Sequence, residues 1–337
     1  AGTPISDIEA VIAANGQQLA FEPMNLERLY GNDGGTLGGV VACNLSGPRR
    51  FKSGAARDHI LGIKGVSGRG ELFKSGGRVV KNVTGYDLSK LMTGSYGTLA
   101  ALTEITIKVL PAPENIRTLV LLDLDDEMAQ LVMTAAINSS HEVNGAAHLP
   151  LAVALSSTIK NISSSRTAIT GLRLEGFGPS VEARIEALRI LLKKYGDLEE
   201  LDNKESITFW SEVRDVRPFQ GENSVLWRMS VTPSLSPLIV RNIVSEYAGS
   251  AFYDWGGGLI WYCMKDRYED CGAQKIRSVL NKSGGGHATL IRADALSRAR
   301  VEVFQPQSKG LAELSLRVKK SFDPKRIMNP ERMYLGV

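Results

Sequence analysis

The middle of this chain carries the same rhythm twice, strand–helix–strand–strand–helix–strand, and any fold must accommodate both copies. The first copy reads as a strand at 117–124, a helix at 126–138, short strands at 143–148 and 151–155, a strand at 167–175, a helix at 179–195 and a strand at 197–202. Within it, the segment from Ser156 to Arg166 holds five serines and reads as an exposed loop. The helix at 179–195 is the clearest of the chain. Val181, Ile185, Leu188 and Leu192 fall on one face, and Lys193, Lys194 and Gly196 close it. The second copy reads as a strand at 225–231, a helix at 236–247, strands at 251–255 and 259–264, a helix at 266–281 and a strand at 287–293. Each copy is a split βαβ arrangement, and two side by side predict one antiparallel sheet with helices on one face.

Ahead of this region the pattern is different. Glycine, 34 residues in all, clusters before residue 100 and again at 256–258 and 284–286. Thr3 as cap and Pro4 at the first position open a helix with Ile5, Ile8 and Ile12 on one face and Gly16 as the stop. Leu19-Ala20-Phe21 reads as a short strand. Gly34-Gly35-Thr36-Leu37-Gly38-Gly39 leads into a helix carrying Val40 and Val41 and runs on to Ser46-Gly47-Pro48. A helix entered through glycine either offers N–H groups to an anion or packs closely on a sheet. A hairpin follows, with strands at 57–66 and 71–74 about Gly68-Arg69-Gly70. The stretch 76–111 then holds a short apolar run at 88–92, the turn Gly94-Ser95-Tyr96-Gly97-Thr98, and a strand at 102–110. In that strand Ile105, Ile107 and Val109 alternate with Thr106 and Lys108. Gly94 and Gly97 leave the main chain open to a flat or anionic ligand. Pro111 and Pro113 mark a boundary. A last helix at about 307–321 precedes two turns at Asp323-Pro324 and Asn329-Pro330.

Length and charge narrow the function. The 337 residues suggest two domains, and a net charge of +4 from 40 basic and 36 acidic residues argues against nucleic acid. Cys43, Cys263 and Cys271 are too scattered for a disulfide framework or an iron–sulfur site. They read as thiols in a reducing compartment. No apolar run reaches the length of a membrane span. The chain lacks a dinucleotide-binding G-x-G-x-x-G after a strand, a P-loop, a G-x-S-x-G elbow and an H-E-x-x-H, and its four histidines are far apart. Glycine turns without a nucleophile or metal motif point to chemistry carried by a bound cofactor.

The ordered motifs around Gly34–Gly39, Ser46-Gly47, Lys81-Asn82-Val83-Thr84-Gly85-Tyr86-Asp87-Leu88 and Gly94-Ser95-Tyr96-Gly97-Thr98-Leu99 resemble the FAD-binding domain of vanillyl-alcohol-oxidase-type (PCMH-type) flavoproteins. The stretches Leu45–Arg50, Lys81–Asp87 and Gly285–Leu290 are similar to the FAD-binding subunits of bacterial glycolate oxidases (glycolate dehydrogenases). The tail from Phe322 to Met333 is similar to the closing segment of that superfamily, which returns to the flavin. The resemblance covers the whole chain. It implies an α+β fold: a glycine-rich FAD-binding domain at 1–112, an antiparallel-sheet cap domain of ferredoxin-like units at 115–306, and a C-terminal helix and tail at 307–337 returning to the FAD domain.

The resemblance also implies a set of FAD contacts. Gly35, Thr36, Gly38, Gly39, Ser46 and Gly47 approach from one side, and Thr84, Gly85, Asp87, Gly94, Ser95, Gly97 and Thr98 from the other. Ile105 contributes backbone hydrogen bonds, and Asn329 comes from the returning tail. Members of the family carry an earlier subdomain with its own pyrophosphate loop, so the resemblance implies that this chain lacks most of that first subdomain at its N-terminal end. No metal is implied. Catalytic relatives carry a Glu-His pair where this chain has Gly286-His287, which makes His287 the one candidate catalytic residue; the alternative is a histidine capping a strand. Asp87 pairing with Lys81, a solvated Arg49-Arg50 pair and a core Trp255 are the plain readings of those residues.

The function implied is that of an FAD-binding subunit in a cytoplasmic 2-hydroxy-acid oxidoreductase converting glycolate to glyoxylate. A paralogous catalytic flavoprotein subunit and an iron–sulfur subunit are the implied partners, and peripheral contact with the inner membrane face through them is allowed. The alternative is a scaffold subunit of the same complex that binds no FAD.

Overall fold

The computed structural model describes residues 1–31, 34–79, 85–221 and 224–337. The chain forms two units, Ala1–Ala112 with Pro306–Val337, and Pro113–Gln305. In the first, Pro4 stands at the cap position ahead of α1 (Ile5–Ala13), one residue earlier than the helix position expected for it. Leu19 to Phe21 are buried but lie outside regular structure. The strand here is β1 (Gln17–Gln18), which pairs with β5 (Leu110–Pro111). Between them come α2 (Glu27–Tyr30), α3 (Leu37–Cys43), α4 (Arg50–Ser53), β2 (Ile60–Ser67), β3 (Leu72–Gly76), α5 (Leu88–Met92) and β4 (Ala100–Ile107).

Strands β3, β2 and β4 form an antiparallel sheet in that order, with Lys64 facing both Lys74 and Glu104. Leu37 and Val41 of α3, Ile60 and Ile63 of β2, Met92, Leu99 and Ala100 make one core, and Ile105 and Ile107 pack against it as the alternation predicts.

The second unit is built from the two repeated runs. The first contains β6 (Asn115–Leu122), α6 (Asp126–Ile137), β7 (Gly145–Leu149), α7 (Leu151–Ala154), α8 (Lys160–Ser165), β8 (Ile169–Gly176), α9 (Gly178–Leu192) and β9 (Leu198–Leu201). Next comes α10 (Asn203–Arg214). The second run contains β10 (Leu226–Ser230), α11 (Ser236–Val244), β11 (Gly249–Asp254), β12 (Leu259–Met264), α12 (Ala273–Lys282) and β13 (His287–Arg292), followed by α13 (Ala295–Arg300). The strands make one antiparallel sheet of order β13-β10-β12-β11-β7-β8-β6-β9. Each half thus has the ferredoxin-like order fourth-first-third-second, and the halves join through their second strands.

Three expectations are corrected. The run at 151–155 is helical, not a strand: a short apolar segment fits either state, and Pro150 opens it as a helix. Part of the serine-rich stretch is the helix α8, whose serines bond back to carbonyls of the same turn, Ser163 to Ile159 at 3.1 Å and Ser164 to Lys160 at 2.6 Å. Helix α10 was not expected, and it lies on the sheet face opposite α6. Its Phe209 covers Gly171, where an added Cβ would come within 2.6 Å of the ring, and Trp210 bonds Thr118 Oγ1 at 2.9 Å. Thr170, next to Gly171, points to the other face, where His148 lies. Helices therefore cover both faces of the first half of the sheet.

The last helix is α14 (Lys309–Phe322), which belongs to the first unit, where Val318 and Phe322 pack on the core described above.

Candidate functional site

Helix α3 begins with a true cap. Thr36 Oγ1 accepts from the Gly39 amide at 3.2 Å. The two preceding amides are also used: Leu37 N donates to Thr3 O at 3.0 Å and Gly38 N to Ala1 O at 2.8 Å. A Cβ on Gly38 would lie 3.0 Å from that Ala1 oxygen. Glycine at 38 thus serves close backbone packing, and the first three amides of α3 all bond to the chain's own oxygens. At its other end α3 stops at Asn44 in the left-handed conformation, and the turn after α5 docks there. Gly94 N donates to Val41 O at 3.0 Å and Tyr96 N to Ala42 O at 2.8 Å.

The turn itself is held by its own hydroxyls, Ser95 Oγ to Met92 O at 2.8 Å and Thr98 Oγ1 to Ser95 O at 2.7 Å. Gly97 takes a φ of 70°, and among the described residues its amide has no acceptor.

The tail closes over this turn. Asn329 Nδ2 donates to Tyr96 O at 3.0 Å. Lys319, buried on the last turn of α14, donates to Thr98 O at 2.6 Å and Met328 O at 2.7 Å and pairs with Asp323 Oδ2 at 2.8 Å. Burial pushes the Asp323 carboxyl upward, but bonds from Lys319 and the Met328 and Ile327 amides outweigh it and hold the group below the usual carboxylate range.

These pieces border an open cavity of about 440 Å³. Thr36, Gly38 and Gly39 line one part, Ser95 and Gly97 another, and Asn329 a third, so three stretches far apart in sequence meet there. Ala42, Ala100, Ala101 and Met328, which sequence reasoning did not single out, also line it, together with Ala1, Gly2, Leu102 and Ile327. The walls suit a flat cofactor: their side chains are mostly small, and the Gly97 amide remains available as a donor. Cys43 sits at the end of α3; burial pushes its thiol up, against the pull of Arg332.

The other candidates stand elsewhere. Gly35 accepts from Ile5 N at 3.0 Å through its carbonyl, and a Cβ there would meet nothing within 4 Å. Ser46 is buried with Oγ accepting from Ala56 N at 2.9 Å, and Gly47 N donates to Phe21 O at 2.9 Å, so both anchor loops. Gly85 has a φ of 77° and is exposed. Asp87 caps α5, accepting from Lys90 N at 3.1 Å and pairing with Lys90 Nζ at 3.3 Å. Its expected partner Lys81, and Thr84, lie outside the described residues. Thr98 presents its carbonyl to Lys319, and Ile105 points into the core. His287 opens β13 in the second unit, exposed and opposite Ser230.

Comparison with known proteins gives the family. Residues 1–76 match the family described as FAD binding domain. Glycolate oxidase subunit GlcE of Escherichia coli (strain K12) is 35% identical over 334 residues, covering 99% of this chain and 80% of that protein. Glycolate oxidase subunit GlcD of Bacillus subtilis (strain 168) is 41% identical over 87 residues, 26% of this chain and 18% of that protein. A crystal structure of p-cresol methylhydroxylase with substrate bound shares the fold at a TM-score of 0.71 and 12% identity, covering 99% of this chain and 74% of that one. The chain belongs to the family of FAD-linked oxidoreductases that includes glycolate oxidase subunit GlcE, and FAD is the cofactor of that family.

Proposed function

We propose that this chain is the FAD-binding subunit of a multi-subunit 2-hydroxy-acid oxidoreductase that converts glycolate to glyoxylate. The observation that carries the reading is the cavity at which Thr36, Gly38, Gly39, Ser95, Gly97 and Asn329 converge. FAD, when bound, supplies the two-electron acceptor that oxidation of the alcohol carbon needs.

The chain's own part is to bind and orient. The Gly97 amide, unbonded among the described residues, is the donor this reading offers to the cofactor, and Ser95, its hydroxyl already committed to Met92 O, shapes the wall rather than adding a donor. Asn329 is held by its bond to Tyr96 O and keeps the tail against the turn. Gly94 and Thr98 hold the turn that carries Ser95 and Gly97, Ser46 and Gly47 anchor loops elsewhere in the first unit, Asp87 caps α5, and Ile105 packs into the core. His287, exposed, has no side-chain hydrogen bond among the described residues, so its nitrogens are available to a substrate carboxylate. A GlcD-type paralogue and an iron–sulfur subunit are the proposed partners. The three cysteines of this chain, one in the first unit and two in the second, do not supply a cluster-ligand set.

One observation favours a second reading, a scaffold subunit that binds no FAD: the first three amides of α3 are taken by the chain's own oxygens. FAD titration of the purified full chain, followed by flavin fluorescence, separates the two. Saturable binding near one equivalent, with flavin bleaching by glycolate in the reconstituted complex, supports the first reading. An assembled complex in which this chain takes up no FAD establishes the scaffold.

A further inference from the structure

We infer that Lys319 is a positioning residue for the FAD cavity: its buried ammonium fixes the spacing between the Ser95–Thr98 turn and the returning tail, which are two of the cavity's walls. This rests on the reading of that cavity as the FAD site.

The argument begins with the cost of putting a lysine there. Its side chain is 2% exposed and that of Asp323 is 0% exposed. Lysine is almost never so buried unless paired, and a buried ion pair adds little stability over an apolar pair of the same volume. What such a pair does provide is direction. The ammonium has three donors, and each has one acceptor: Thr98 O at 2.6 Å, Met328 O at 2.7 Å and Asp323 Oδ2 at 2.8 Å. One carbonyl belongs to Met328, which lines the cavity beside Asn329, and the other to Thr98, which directly follows the lining residue Gly97. Asp323 repeats the link from below, accepting from Ile327 N at 3.1 Å and Met328 N at 2.8 Å. One charged cluster therefore ties helix, turn and tail. The turn's Gly97 and the tail's Asn329 meet the cofactor only if both segments keep this separation. An apolar residue at 319 would fill the volume without fixing it.

The test is Lys319→Met combined with Asp323→Asn, which removes both charges together so that neither is left buried and unpaired. Unfolding is followed by heat, and FAD is titrated into the full chain with flavin fluorescence and visible circular dichroism as readouts. The expected result is cooperative unfolding, a rise in the FAD dissociation constant of about tenfold or more, and a weakened flavin dichroic signal. A folded variant with the wild-type constant and dichroic spectrum would overturn the inference. A second measurement needs no variant: in hydrogen exchange on the wild-type chain, FAD should protect residues 97–99 and 327–329 together. Protection of one segment without the other also overturns it. Failure of the wild-type chain to bind FAD at all would instead remove the cavity reading on which the inference stands.

Discussion

His148 and Tyr253 face each other across β7 and β11, where the two four-stranded halves of the second unit's sheet meet, and both side chains reach Asp126. His148 Nε2 stands 3.3 Å from Asp126 Oδ1, while its Nδ1 lies 2.9 Å from Thr170 Oγ1. The Tyr253 hydroxyl donates to Asp126 Oδ2. A carboxylate on the first turn of α6 thus ties a helix of the first half to a strand of the second. Burial, and then the Asp126 charge, push the Tyr253 phenol well above its ordinary value, so it stays a donor throughout the working pH range.

This junction predicts an acid-labile contribution to stability. Burial raises the Asp126 carboxyl, but contacts from His148 and Tyr253 outweigh it and hold the group below its usual range. A depressed folded value means the contribution is complete above the unfolded value of about 4 and is lost as pH falls through the folded one. Urea midpoints measured from about pH 6 downward should therefore decline more steeply for the wild type than for Asp126→Asn. Tyr253→Phe at neutral pH should cost about 1–3 kcal/mol, the range for losing a hydrogen bond to a charged group. Parallel pH profiles for wild type and Asp126→Asn would refute the assignment.

Two glycines on the same unit predict opposite outcomes. A Cβ at Gly171 would stand 2.6 Å from Phe209 Cε1, inside the contact that seats α10 on the sheet. Gly171→Ala should destabilise by about 1–3 kcal/mol as the ring is forced aside. At Gly178, the first residue of α9, an added Cβ meets nothing within 4 Å. There alanine should be neutral or stabilising by up to about 1 kcal/mol, through lower chain entropy in the unfolded state. Thermal or urea unfolding of the two variants side by side decides this.

Parts of this molecule were legible in the sequence for a physical reason. Half-buried strands and amphipathic helices write their period into the chain, so both β-α-β-β-α-β runs could be read. Helix α10 also carries a readable signal, the capping box of Asp202 and Glu205 ahead of Phe209, Trp210 and Val213. Leu151 to Ala154 carries no period that separates helix from strand. Glycine marks where a backbone is approached, but not by what. Gly38 and Gly97 both line the cavity, yet a Cβ on the first would meet Ala1 and on the second Asn329, while at Gly68 it would meet Asp323. Lys319, on a helix with basic neighbours, looks solvated until the tail returns over it.

Gly68 carries a strong steric prediction of the first unit. A Cβ there would stand 2.1 Å from Asp323 Oδ1 and 2.6 Å from Asp323 Cβ, at the base of the Lys319–Asp323 cluster. The near atoms belong to a short, fully buried side chain that cannot swing away. Gly68→Ala should cost about 2–3 kcal/mol and loosen the tail. Limited proteolysis should then cut between residues 323 and 337 faster than in the wild type. Unchanged cleavage and an unchanged melting point would show that the β2–β3 turn shifts freely.

Gly97 joins conformation to binding. Its φ of 70° lies in the left-handed region, and a Cβ would stand 2.7 Å from Asn329 Nδ2. Alanine there must strain the backbone, at about 1–2 kcal/mol, and push Asn329 from Tyr96 O. Both effects move a residue that lines the cavity. Gly97→Ala should therefore lower FAD affinity by about tenfold, more than its loss of stability alone would suggest. Gly310→Ala is the control, since Gly310 sits early in α14 and an added Cβ meets nothing within 4 Å. That variant should keep wild-type FAD affinity in the same fluorescence titration. Equal affinity for both variants would mean that the Gly97 amide is not a cofactor contact.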